Sequence, residues 1–121
     1  MGKTWQMSSV AVHFKRSEFD CHDGTHAKPS PELLSALENL RRLCGGRPIE
    51  ILSGYRSPQW NKRVGGAPNS QHLHNRAADI RPGVATVDQA RAAGFTGIGY
   101  CGDWVVHVDV RPGPLVVFSD C

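Results

Sequence analysis

The sequence predicts an α+β fold on three observations: a capped amphipathic helix over residues 30–44, a valine-rich hairpin over 97–111, and short β-branched segments between them. Its 121 residues suffice for one core, and 40% hydrophobic with 21% charged residues is the balance of an ordinary globular domain. We expect residues 1–12 to form a leader and 13–121 a single domain. The net charge of +3 comes without a Lys/Arg run or basic stripe, which argues against nucleic acid as a partner. No run approaches the ~20 apolar residues that span a bilayer, so no membrane insertion is expected.

The elements follow in order. His13 to Cys21 carries Phe14 and Phe19 in a short polar context, read as a packing arm that ends at the Asp23-Gly24 turn. Ser30 caps a helix with Pro31 in its first position, and Leu33, Leu37, Leu40 and Cys44, with Leu34 alongside, make one buried stripe before Gly45-Gly46 stops it. Pro48 to Tyr55 reads as a strand running into a loop at Arg56. Ser57-Pro58 opens a second short helix, and the loop Gly65 to Ser70 then delivers His72.

Ala77 to Arg81 is a strand with Asp79 on the face of Ala77 and Arg81. Thr86-Val87-Asp88-Gln89 matches a capping box for a helix ending at Gly94. The hairpin turns at Gly102-Asp103, a type II′ pair. Its alternation predicts Val106, Val108 and Val110 in the core, with Val105, His107, Asp109 and Arg111 opposite. After Pro112-Gly113-Pro114, Leu115 to Phe118 is expected to return as an edge strand. The four cysteines contain no C-x-x-C pair, and Met1 to Met7 lacks the apolar run of a secretory signal. We therefore expect cytoplasmic synthesis with mostly reduced thiols.

The chemistry concentrates in Ser70 to Ile80, where His72 and Asp79 supply an imidazole and a carboxylate. These are a partial set for catalytic zinc, which takes three protein ligands and keeps one open position, and His107 on the hairpin strand offers the third. His74 is the rival of His72. Cys21-His22-Asp23 with His26 lacks paired ligand spacing and is weak as a second metal site.

Taken together, Ser53-Gly54-Tyr55-Arg56-Ser57-Pro58, Asn61, Val64-Gly65-Gly66-Ala67, Ser70-x-His72, Ala77-Ala78-Asp79 and His107-Val108-Asp109 resemble the M15 family of zinc peptidases, which includes D-Ala-D-Ala carboxypeptidases and phage endolysins. The resemblance implies helices packed on a small, mainly antiparallel sheet, as in hedgehog signalling domains. It implies Zn2+ held by His72, Asp79 and His107, with Ser70 hydrogen-bonding behind the first ligand and Arg56 serving catalysis. Two positions depart from the family pattern. Asn75 stands where glycine is usual, and asparagine is the residue that next most readily takes the left-handed conformation. Trp104 and Val105 stand where relatives carry a general base.

Strand geometry then favours Asp109 as the base over Asp103, which falls in the hairpin turn; alternatively Asp109 orients His107 or pairs with Arg111. The implied activity is zinc-dependent hydrolysis of an amide bond in peptidoglycan stem peptides or crosslinks, by a monomer that reaches the bacterial cell wall after release. The alternative is a non-catalytic, zinc-stabilised, hedgehog-like binding module.

Overall fold

Ser30 accepts the Leu33 amide at 3.0 Å and Pro31 occupies the first turn, so helix α1 spans Pro31–Leu43. Leu33, Leu37 and Leu40 lie on one stripe, and all three are fully buried. Each such side chain stabilises the fold by ~1.5–3 kcal/mol through burial. The computed structural model describes residues 13–121; the expected leader over 1–12 lies outside the described residues. Helix α2 (Pro58–Arg63) is capped by Ser57, and α3 (Val87–Ala93) by the Thr86/Gln89 box, ending at Gly94 with φ +106°. Phe14 and Phe19 are buried in the same core cluster as the α1 leucines, as expected of the packing arm.

Five strands form one sheet in the order β1-β2-β4-β3-β5: β1 Ile51–Ser53, β2 Ala77–Ile80, β3 Gly97–Cys101, β4 Trp104–Asp109 and β5 Val116–Ser119. The fold is α+β. All pairings are antiparallel except that of β5, which runs parallel to β3 along one edge. Gly102 takes φ +62° at the β3–β4 turn, as a Gly-first turn requires.

One face of the sheet, with Ala78, Ile80, Ile98, Val105 and Val108, closes the core under α1 and α3. Strict alternation places Val105 on the other face, and the structure corrects this. Gly99 pairs with His107 while Tyr100 pairs with Val105, so Val106 is an extra residue that bulges out of register. Val105 turns into the core and its amide donates to Ala85 O at 2.9 Å, whereas Val106 is only half-buried. The opposite face carries Ala77 and Asp79 of β2, Gly97 and Gly99 of β3, and His107 and Asp109 of β4. Register sets Asp79 directly across from His107.

The expectation of mostly reduced thiols also gives way. Cys101 and Cys121 are joined by a disulfide, their Cα atoms 4.8 Å apart, because the parallel run of β5 brings its end beside the end of β3. Cys21 and Cys44 remain free and buried.

Candidate metal centre

His72 reaches the site from a 3-10 turn, Gln71–His74, that ends because Asn75 adopts the left-handed conformation at φ +54° and ψ +37°. Asparagine thus makes the turn expected of it. Ser70 caps the turn by accepting the His72 amide at 3.2 Å, so its hydroxyl braces the ligand's backbone. The imidazole is buried, and its Nδ1 lies 2.7 Å from Gly54 O. A carbonyl can only accept, so Nδ1 carries the hydrogen and Nε2 presents a bare lone pair. Gly54 can do this because it lacks a side chain: a Cβ there would lie 2.6 Å from Phe19 Cα.

His107 is fixed from the other side. Its Nε2 lies 2.7 Å from Asp109 Oδ2 and donates to that carboxylate, leaving Nδ1 turned toward Asp79. Asp79 Oδ1 sits 3.3 Å from His72 Nε2 and 3.1 Å from His107 Nδ1. Candidate donor atoms of His72, Asp79 and His107 lie within 4.8 Å of one another, the only such group of three or more found among the described residues. With both hydrogens committed behind the rings, three lone-pair atoms face one point. A cation satisfies that arrangement, and two nitrogens with one oxygen are a donor set suited to zinc-like divalent metals.

The charges agree with the geometry. Burial pushes the Asp79 carboxyl up, but when protons rather than a cation occupy the facing nitrogens, hydrogen bonds from His107 and His72 outweigh it and hold the group well below the usual carboxylate range. Burial disfavours charge on His107, yet its bonds to Asp109 and Asp79 prevail and raise its pKa to about 9. The cluster therefore demands a positive charge, as a proton or as a metal ion.

Arg56 Nη2 donates to Asp79 Oδ2 at 3.4 Å, and its Nη1 donates to Asn61 Oδ1 at 3.2 Å. Asn61 is buried and donates to Ala67 O at 2.9 Å, which ties the arginine to the glycine loop. Arg56 and Ala67 border a cleft of about 380 Å³ whose wall also includes His72, Asp79, His107, Arg111 and Asp120.

Asp109 does not border that cleft. It is fully buried on the far side of the His107 ring, where Arg111 grips it through Nε at 2.8 Å and Nη2 at 2.6 Å, and the Arg111 amide adds a third bond at 3.1 Å. Burial raises its pKa, but Arg111 and His107 more than reverse this and keep it ionised. The expectation that Asp109 reaches a water in the site is corrected: sharing a strand face with His107 brought it to the ring's outer nitrogen, and its oxygens are already occupied. Asp103 lies exposed in the hairpin turn, away from the cleft wall. His74 is exposed and borders a different depression, so it does not rival His72.

Gly54, Asn61, Gly97 and Asp120 carry no site role in the sequence reading, whereas its alternative for Asp109, orienting His107 and pairing with Arg111, matches the observed contacts. A Cβ at Gly97 would overlap the Asp109 carboxylate, so that glycine is the space in which Asp109 sits. The alternation Asp109-x-Arg111 was a readable signal for their pairing, and Asn61 was visible in the motif series without a stated purpose. Asp120 had no local signal at all.

A stretch of 73 residues is 41% identical to a zinc D-Ala-D-Ala carboxypeptidase of Streptomyces albus G, covering 54% of this chain and 29% of that relative. The chain thus spans under a third of the curated relative's length. The model of the family described as Peptidase M15 matches residues 9–109, most of the chain and all three donors. On that match, and with the donor cluster inside it, the chain belongs to the M15 peptidase family.

Proposed function

We propose that this protein is a zinc-dependent peptidase that hydrolyses an amide bond in peptidoglycan stem peptides or crosslinks, acting as a monomer at the bacterial cell wall. The observation that carries the reading is the convergence of His72 Nε2, Asp79 Oδ1 and His107 Nδ1 at the wall of an open cleft, each histidine's hydrogen committed behind it. Those three atoms would hold Zn2+. When bound, zinc lowers the pKa of a coordinated water toward about 7 and polarises a carbonyl.

The chain's own groups supply the rest. Gly54 O and Asp109 set which nitrogen of each histidine faces the cleft, and Arg111 holds Asp109 ionised against its burial. Arg56 fixes the second oxygen of Asp79 and presents its guanidinium at the cleft wall, where it can pair with a substrate carboxylate or steady charge developing on the scissile oxygen. The family match and the carboxypeptidase relative support a peptide substrate of wall type.

Digestion of purified peptidoglycan tests this. Zinc-loaded protein is expected to create new amine ends, to lose that activity to a chelator and to regain it with zinc. Free D-alanine among the products identifies a carboxypeptidase, and loss of crosslinked dimers an endopeptidase. Zinc bound with no new amine ends would instead make the protein a zinc-stabilised binding module.

A further inference from the structure

The peptidase reading needs a group that takes a proton from the attacking water, and the residues just before His107 provide none: Trp104 is apolar and Val105 is in the core. Two carboxylates border the cleft, Asp79 and Asp120. Asp79 is engaged by both histidines and by Arg56.

Asp120 reaches the cleft along β5. Phe118 lies on the site face, its ring 5.6 Å from that of His107, and the two-residue period of an extended chain returns Asp120 to the same side. Gly99 of β3 makes room for both. A Cβ at Gly99 would lie 2.8 Å from Phe118 Cε2, 3.0 Å from His107 Cβ and 3.1 Å from Asp120 Cβ, so all three side chains converge over one glycine. The Asp120 backbone is tied down on both sides: its amide donates to Tyr100 O at 2.7 Å, and the next residue, Cys121, is bonded to Cys101. Unlike Asp79 and Asp109, its carboxylate has no ion pair with another described residue. It is an anchored, solvent-facing carboxylate on the same wall as the donor cluster.

We propose that Asp120 is the proton acceptor of the hydrolysis, an inference that rests on the peptidase reading above. As the water oxygen bonds to the scissile carbonyl carbon, Asp120 takes one of its protons. As the carbon–nitrogen bond breaks, that proton passes to the leaving nitrogen, and the products are one carboxyl and one amine with Asp120 regenerated.

The test compares wild type, Asp120→Asn, Asp120→Ala and Asp120→Glu for amine release, zinc content and thermal midpoint. Loss of a positioned base lowers kcat by about 10²–10⁴-fold. We expect that loss in Asp120→Asn and Asp120→Ala at one zinc per chain and unchanged midpoint, with partial recovery in Asp120→Glu and in Asp120→Ala supplied with formate. Wild type that is active beside an Asp120→Asn protein within about threefold of it overturns the Asp120 assignment alone. So does a loss that tracks a fall in zinc content. Wild type that binds zinc and releases no amine overturns the peptidase reading and this inference with it.

Discussion

His72 and His107 meet at the same carboxylate oxygen of Asp79, but they are held by opposite kinds of structure. His72 comes from a loop turn and leans on a main-chain carbonyl; His107 comes from the middle of a sheet and leans on a buried carboxylate that an arginine clamps. The carbonyl sets the tautomer without adding formal charge. The carboxylate sets it and adds a negative charge, which together with Asp79 overcomes burial and raises the pKa of His107 to about 9. One arm supplies geometry, and the other supplies geometry and charge.

The largest effect comes from removing either arm outright. His72→Ala and His107→Ala are each expected to abolish both stoichiometric zinc and activity, measured by metal analysis after gel filtration. Retention of a full equivalent of zinc by either variant would show that the two arms do not share one ion. Next in size is Asp109→Asn, which keeps an acceptor for His107 but removes its charge and leaves Arg111 without its partner. Outer partners of this kind are worth about 10–100-fold in metal affinity. A zinc competition titration should show a loss in that range with little change on the His72 side; an unchanged dissociation constant would reduce Asp109 to a packing role.

The pH dependence separates the arms more finely. In chelator-stripped protein, the raised pKa of His107 contributes stability that is complete below about 6.5 and is lost as pH rises to about 9. The lowered carboxylates, Asp79 and Asp109, contribute stability that is present above about 3.8 and lost as pH falls through their depressed range. The melting temperature of stripped protein should therefore be highest between about pH 4 and 6.5 and decline toward 9. Zinc affinity should instead increase from pH 6.5 to 9, because the metal must displace the His107 proton. Zinc affinity flat across that interval would contradict the charge assigned to the His107 arm.

The smallest effect belongs to the His72 arm. Asn75 holds a left-handed backbone, and both polar atoms of its buried amide find no hydrogen-bond partner among the described residues. Asn75→Gly keeps the turn and removes those atoms, and an unmet buried polar group costs ~1–3 kcal/mol. Greater chain entropy in the unfolded state offsets part of the gain, at about 0.5–1 kcal/mol for glycine. A slightly higher melting temperature with unaltered zinc affinity is expected; a fall would mean that the asparagine side chain supports the turn.

These differences also explain what could be read from the chain. Local chemistry was legible: Ser30-Pro31, Ser57-Pro58 and the Thr86/Gln89 box each begin a helix where their capping groups predict, and Asn75 turns the chain as its conformational preference allows. The motif series pointed to the three donors that the fold gathers into one cluster. Whatever depended on non-local register was not legible. The bulge at Val106 moved Val105 into the core, and a period of two has no means of announcing an inserted residue. The parallel return of β5 brought Cys121 to Cys101 and Asp120 to the cleft, a result of topology rather than of spacing. Asp109 was placed on the right face with two roles left open, and the contacts select the orienting one over the base, because face alone does not say which ring nitrogen a carboxylate meets.

The most direct test of the metal centre is anomalous diffraction at the zinc absorption edge from crystals of the zinc-loaded protein. One strong peak is expected, bounded by His72 Nε2, Asp79 Oδ1 and His107 Nδ1, at about 2.0–2.2 Å from each. A peak at His74 or near His22 and His26, or none between the three donors, would contradict it.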